Sequence, residues 1–504
     1  MKTKTIAETS LANRKNLVVK NGFSESTSEQ TSLHPLTISA PTDPILYWNL
    51  VALEANRVSH TNGAKEQVAP VLSSRALAIV HLAMYDAYAG VLGNPADLPA
   101  YLPGLPAPSV GAAVDVAVGA AAYYTLSTLF PAQQAYFSQK WADANLGGLL
   151  GFDEGRDFGT EVARRILADR KDDPNDKDTG YASSTAPGAH RPDPDNSDQG
   201  FLAPFYGARC KAFAITERMP LLLAPPPDLV DPEYGAALKQ VWGKGIAPEL
   251  MGTLPIGIAG IEPRIPEETQ VGIFWAYDGA KELGTPPRLY NQIVRQVAID
   301  QGNTVAQNAR LFALVNVAMA DAGILAWEEK YRHNLWRPVL GVRENDPSWL
   351  PLGAPKSNEK PSDLVKNITP NFPAYPSGHA TFGAAAFHIT RLFYGVGGKL
   401  ADNTLGPDNL LAGMDVVSDE LNGKNKDNHG TVRPQRVRSY ADGLWQAIKE
   451  NGRSRVYLGV HWLFDAFAVT AAGEPDLARN VGGVWLGLKI AENIFDSGLT
   501  KSNV

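Results

Sequence analysis

The chain has a single cysteine, Cys210, among 504 residues, so an intramolecular disulfide and a thiolate metal cluster are both excluded. A buried, idle thiol is the expectation for it. Positive charge is not in excess: 46 Lys and Arg stand against 53 Asp and Glu, a net charge of −7. That balance argues against a nucleic-acid partner and favours solubility. Nor is there an uninterrupted apolar run of about 18 residues, the length a membrane-crossing helix needs. The nearest stretch, 110–130, is Ala-rich, is interrupted by Asp115 and ends before Pro131, and so is expected to be a buried helix. Met1-Lys2-Thr3-Lys4 carries the charge of a secretion signal, but no apolar segment follows. The expectation is a soluble protein without a classical signal peptide, cytoplasmic or exported by another route. Internal repeats and convincing period-two strands are also missing.

What the chain does have is apolar material at helical spacing. Hydrophobic residues make up 44% and charged residues 20%, enough for a substantial core. Residues 1–42 are polar and rich in Ser and Thr, and read as a loose arm. From residue 43 the periodicity predicts helices over 46–57, 73–91, 110–129, 131–144 and 154–169, with short connections. Such a series suggests a helix bundle. His81 and Asp86 lie five apart on the second of these, poor spacing for one face, and read as structural polar groups. Residues 172–207 are a long loop rich in Pro, Asp and Gly. After a Pro/Gly-rich join ending near residue 264, helices are predicted over 267–277, 288–301, 304–334, 377–395, 432–450, 462–470 and 482–497.

Three segments of this second half carry chemistry. Pro376-Ser377-Gly378-His379 precedes a helical run, so Ser377 is a good N-cap and the following backbone N–H groups point outward as an anion-binding corner. Alone, such a tetrapeptide is most often a capped helix with an idle histidine. Lys330 and Arg337 end a long helical pattern seven residues apart, a spacing of two turns that places both on one face. Arg455 and His461 sit six apart, on different faces of a regular helix, and converge only if Gly459 marks a bend between them. Three cations, a helix N-terminus and two histidines suit a tetrahedral oxyanion such as phosphate.

Lys-x6-Arg, Pro-Ser-Gly-His and Arg-x5-His in this order resemble the signature blocks of the vanadium-dependent haloperoxidases, most closely the fungal chloroperoxidase type and its bacterial relatives. These enzymes share their anion pocket with the type 2 phosphatidic acid phosphatases. The resemblance extends to 43–49, 274–279 and 284–291, and covers most of the chain from about residue 43. It implies an all-α fold of two four-helix bundles, 43–264 with the loop 172–207 and 265–504 with the anion site.

The implied activity is oxidation of chloride or bromide by hydrogen peroxide to hypohalous acid, which halogenates a small organic acceptor. A soluble acid phosphatase using the same pocket is the alternative. The implied cofactor is vanadate, held by Lys330, Arg337, Ser377, Gly378 and Arg455, with His461 as its one metal ligand. His379 is then the acid–base catalyst toward hydrogen peroxide, and Lys330 activates the bound peroxide. Trp327 and Phe372 match aromatics of the halide pocket, and a phenylalanine rather than a histidine at 372 leans toward chloride. Asp278 is placed against Arg455, and Asp465 is the candidate to orient His461. Leu463 departs from the arginine that often follows His-Trp in relatives. His190 and Arg191, in the long loop, are candidates only for the rim of the site. His34, His60, His333, His388 and His429 are expected to be surface or satisfied core histidines.

Overall fold

The computed structural model describes residues 43–174, 180–359 and 367–504; the expected arm, 1–42, lies outside the described residues. Helices dominate. The first group is α1 (Pro44–Ser59), α2 (Pro70–Val91), α3 (Val114–Leu129), α4 (Gln134–Asp143) and α5 (Phe152–Asp169). Two helices, α6 (Tyr206–Arg209) and α7 (Pro232–Lys244), follow the long loop. Then come α8 (Pro266–Phe274), α9 (Pro286–Asp300), α10 (Val305–His333), α11 (Pro338–Arg343) and α12 (Gly378–Phe393). The last are α13 (Gly443–Tyr457), α14 (Leu463–Ala466) and α15 (Gly482–Asp496). Among the described residues the only ladder is a ribbon of β1 (Val416–Val417) and β2 (Val437–Arg438), antiparallel with Val416 opposite Arg438.

Local chemistry explains most boundaries. Asp43 caps α1, its Oδ1 accepting from Leu46 N at 2.9 Å. Thr304 and Gln307 form a capping box at the start of α10. That helix is the axis of the fold, packed on α2 along one side and on α12 along another. It is also the one helix among the described residues long and apolar enough to cross a membrane, and it is buried in the core, which accounts for its composition. The 110–130 stretch, expected to be the most apolar, is a core helix beginning only at Val114. Asp321, in mid-α10, accepts from the backbone of Phe213, Ala214 and Ile215 at 2.5–2.9 Å and so ties the segment after the long loop to the axis. The helix α12 also packs extensively on α15. A Cβ on Gly487 would lie 2.4 Å from the carbonyl of Thr381, so the two backbones meet only where this side chain is absent.

Three expectations need correction. The helix expected over 432–450 begins at Gly443 and runs to Tyr457, and β2 occupies part of the preceding stretch. Its N-terminus is satisfied by Asp408, whose carboxylate accepts from Leu444 N at 2.9 Å and Trp445 N at 3.0 Å, a cap far away in sequence. The helix expected over 462–470 is a single turn, because Phe467 turns extended at φ −165°. Lys330 and Arg337 do not share a helix: α10 ends at His333, where Asn334 adopts a left-handed conformation, φ 52°. Cys210 is buried, and Asp86 accepts from the backbone of Tyr101 and Leu102, a structural role.

Candidate active site

The ends of α10, α12 and α13 bring the three motif segments together. Lys330 lies in the last turn of α10, and Arg337 is the residue that precedes α11. The turn between them is strapped from outside by the long loop. His190 N donates to Asn334 O at 2.9 Å, Trp336 N to Gly188 O at 2.8 Å, and the Tyr181 hydroxyl to Asn334 Oδ1 at 2.7 Å. Ser377 caps α12, so Gly378 is its first residue. Arg455 occupies the last turn of α13, and Gly459 then takes φ +70° against the carbonyl of Gly245, 2.5 Å from where a Cβ would sit. No side chain is tolerated there, and the bend that the Arg455–His461 spacing required is present.

Arg337 Nη1 donates to His461 Nε2 at 2.8 Å and to Val460 O at 2.7 Å, while its Nε donates to Phe372 O at 2.8 Å. A guanidinium only donates, so His461 Nε2 carries the lone pair. The ring proton is therefore on Nδ1, which donates to Asp465 Oδ2 at 2.7 Å. The same reasoning fixes His379: its Nε2 lies 2.6 Å from the carbonyl of Ala276, which only accepts, so the neutral ring keeps its lone pair on Nδ1. Arg455 forms a two-pronged pair with Asp278, at 2.7 and 3.1 Å. Lys330 Nζ donates to the carbonyls of Pro373, Ala374 and Pro376.

Lys330, Arg337 and Arg455 are each at most 1% exposed. Burial, reinforced by Arg337, holds the Lys330 ammonium well below its ordinary value. Burial presses Arg337 down to about 9. His461 is held well below its usual range by burial and then by Arg337, Lys330, Arg455 and His379. His379 falls to about 3, from burial and Arg455. Burial lifts Asp465 to about 7 against the pull of Lys330 and Arg337. Arg337 Nη2 and Arg455 Nε are buried without a hydrogen-bond partner among the described residues. Buried, mutually repelling cations with idle donors are half of an interaction whose other half is an anion.

A cavity of about 250 Å³ opens onto this cluster, lined by Trp327, Phe372, Gly378, His379, Arg455, His461 and Asp278. Lys330, Arg337 and Ser377 are not in its wall. The Trp327 and Phe372 rings pack 4.8 Å apart, and Lys330 Nζ lies 5.0 Å from the Phe372 ring. Two further histidines belong to its surroundings, His190, expected only at the rim, and His60, expected to be a surface or satisfied core residue. His60, at the end of α1, lines the cavity. His190 is buried with both ring nitrogens unpartnered and is pushed to about 3 by burial, Arg337 and Lys330. Both reach the site from the first half of the chain, and no local pattern marks either. Arg191 lies over the Trp336 ring, 5.7 Å away.

Among the described residues no cluster of three or more His, Cys, Asp or Glu could chelate a metal cation. Cations, a helix N-terminus and one imidazole lone pair instead make a receptor for an oxyanion that accepts a single nitrogen ligand. The class is thus a helical protein whose clustered, buried cations form a candidate oxyanion pocket. Residues 40–212 match the vanadium chloroperoxidase N-terminal domain, and residues 310–483 the second helical-bundle domain of that enzyme type. The vanadium chloroperoxidase of Curvularia inaequalis is 36% identical over 91% of this chain and 90% of its own. The chain belongs to the vanadium chloroperoxidase family. Solved structures share the fold. A bacterial vanadium-dependent iodoperoxidase superposes with a TM-score of 0.66 at 20% identity, over 92% of this chain and 98% of its own. A holo bacterial vanadium-dependent chloroperoxidase gives 0.56 at 14%, over 94% and 96%.

Proposed function

We propose that this chain is a vanadium-dependent haloperoxidase that oxidises chloride and bromide with hydrogen peroxide to hypohalous acid. The observation that carries the reading is that Lys330, Arg337 and Arg455, all buried, lie close enough to His461 to depress its pKa, with Arg337 donating to its Nε2. Vanadate would be held by these three cations, the Ser377 hydroxyl, the Gly378 N–H and one bond from His461. When bound, it supplies a Lewis acid of fixed oxidation state that activates hydrogen peroxide toward halide.

The protein's own contributions follow from its hydrogen bonds. Asp465 keeps the proton on His461 Nδ1 and so leaves Nε2 unprotonated, with a lone pair that Arg337 Nη1 holds and would give up to a bound vanadate. His379 presents Nδ1 as a base and takes a proton from incoming hydrogen peroxide, its Nε2–H being committed to Ala276. With an anion offsetting the surrounding cations the His379 pKa would rise, and its Nδ1 would hold the proton it takes up. Lys330, behind the Phe372 ring, would supply positive charge toward a bound anion, which in turn would favour its protonated form. Trp327 and Phe372 keep that charge in a dry environment, where it acts more strongly. The Asp278 pair keeps Arg455 from swinging out of the site.

The test is halogenation of a phenol dye by the purified protein, with and without orthovanadate. Activity should be slight without it and restored by it, with phosphate competing. Full halogenation after exhaustive chelation and phosphate dialysis would overturn the cofactor. Rapid hydrolysis of nitrophenyl phosphate, with no halogenation on adding vanadate, would make the protein a phosphatase.

A further inference from the structure

We infer that Tyr290 and Asn451 are positioning residues for the reaction: they hold the backbone carbonyl of His379 and, with Ala276 on its ring, fix where Nδ1 points. The inference rests on the haloperoxidase reading above, in which that nitrogen takes the proton of hydrogen peroxide. Tyr290 belongs to α9 and Asn451 to α13, and both are fully buried. Asn451 Nδ2 donates to His379 O at 2.8 Å and to the Tyr290 hydroxyl oxygen at 3.1 Å. The hydroxyl lies 3.1 Å from His379 O, which only accepts, so its proton completes a triangle. Its alternative acceptor, Asn451 Oδ1, is farther away, at 3.3 Å.

Hydrogen-bond satisfaction alone does not require this arrangement. His379 is the second residue of α12, so the helical pattern already supplies its carbonyl with the N–H of residue 383. Two side chains from two other helices add donors to a carbonyl that is not orphaned, and burying them carries a desolvation cost. The chain also makes room for them. A Cβ on Gly383 would lie 2.2 Å from Asn451 Nδ2, so the amide reaches His379 O only because α12 has no side chain there. The Tyr290 ring packs 6.3 Å from that of Trp275, whose neighbour Ala276 accepts from His379 Nε2 at 2.6 Å. His379 is thus gripped at both carbonyl and ring by segments that pack on each other. The anion-holding residues are tied elsewhere. Ser377 N donates to Asp465 O at 2.8 Å, Lys330 Nζ donates to Pro376 O, and Arg455, one turn after Asn451, keeps its own pair with Asp278.

A base must stay within hydrogen-bond reach of the proton it takes, and a misplacement of about 1 Å costs up to about a hundredfold in rate. Helix ends fray, so a base on the second residue of a helix needs bracing from outside it. Tyr290 and Asn451 supply that brace.

The test uses three variants of the full chain. Tyr290→Phe removes one donor and keeps the ring, Asn451→Leu removes the other, and Gly383→Ala displaces the amide without deleting a polar group. With vanadate bound, bromination of a phenol dye should lose about tenfold in kcat in Asn451→Leu and Gly383→Ala, and less in Tyr290→Phe. KM for peroxide, and vanadate affinity by calorimetry, should be unchanged. A merely structural role would make the loss independent of His379; if the residues act through it, adding Asn451→Leu to His379→Ala costs nothing further. In the vanadate-free chain, deuterium exchange read by mass spectrometry should quicken over 379–384 in Asn451→Leu, with the rest of α12 unchanged. Unchanged kcat in Asn451→Leu and Gly383→Ala, vanadate affinity lost in step with kcat, or an equal further loss in the His379→Ala background overturns the assignment. No bromination by the vanadate-loaded parent would instead overturn the haloperoxidase reading, and the exchange measurement would still decide whether these residues hold His379.

Discussion

Replacing Arg337 by methionine separates a pocket built for an anion from one built for stability. Burial presses this guanidinium from its ordinary range down to about 9. At about 1.4 kcal/mol per pH unit, that holds roughly 5 kcal/mol against the folded state. The unfolded chain keeps this proton to higher pH than the folded one, so the penalty is complete at neutral pH. It is relieved only as pH rises above about 9. Methionine removes the penalty but leaves the carbonyls of Phe372 and Val460 and the Nε2 of His461 unpaired, at about 1.5 kcal/mol each. The anion-free variant should therefore match the parent's stability to within about 1 kcal/mol, as when other buried ions give way to apolar side chains. With orthovanadate at about a hundred times its Kd the parent gains about 2.7 kcal/mol and the variant almost none, so the parent becomes clearly the more stable. Urea unfolding followed by tryptophan fluorescence, in phosphate-free buffer and with vanadate, measures both arms. A variant weaker than the parent in both buffers, with its midpoint still raised by vanadate, would refute the reasoning.

Exchanging the two histidines should separate ligand from base: His461→Ala loses tight vanadate binding, whereas His379→Ala keeps it and loses turnover, by calorimetry and steady-state rates. Equal affinity in both variants contradicts the assignment. Phe372→His brings a polar ring and water beside Lys330, and should remove chloride oxidation preferentially while sparing bromide, read from rates for both halides across about pH 4 to 8. His190 is held neutral down to about pH 3, whereas the unfolded chain takes up this proton near 6.5. Its contribution to stability is whole above about 6.5 and is lost as pH falls toward 3. His190→Gln should thus flatten the acid side of the stability profile by up to about 1.4 kcal/mol per pH unit, measured as urea midpoint against pH.

Long amphipathic helices were legible in the sequence because their signals are local. Pro44 after Asp43, and Thr304 with Gln307, mark two of the starts directly. The start of α13 was not legible, because Asp408 caps it from a distant segment. The pocket residues were found as three short blocks, yet the geometric reason offered for one pair was wrong. Lys330 and Arg337 meet across a left-handed turn at Asn334, a residue that tolerates such turns but does not announce one. Contacts made by carbonyls, such as Ala276 with His379 and Leu202 with Trp327, leave no trace in residue identity. His60 escaped for a related reason, since only tertiary folding carries it to the site, and His190 could be placed from the sequence no more closely than the rim.

The strap from Gly188–His190 onto Asn334–Trp336 bears on how such a protein can be taken apart or recombined. The turn that separates Lys330 from Arg337 is completed by hydrogen bonds from a segment more than a hundred residues upstream. A gene fragment encoding only the later helices would carry each of the three signature blocks and still lack the brace that sets two of its cations. Exchange of halves between relatives should succeed only where loop and turn travel together. The two matched domains are in that sense one heritable unit.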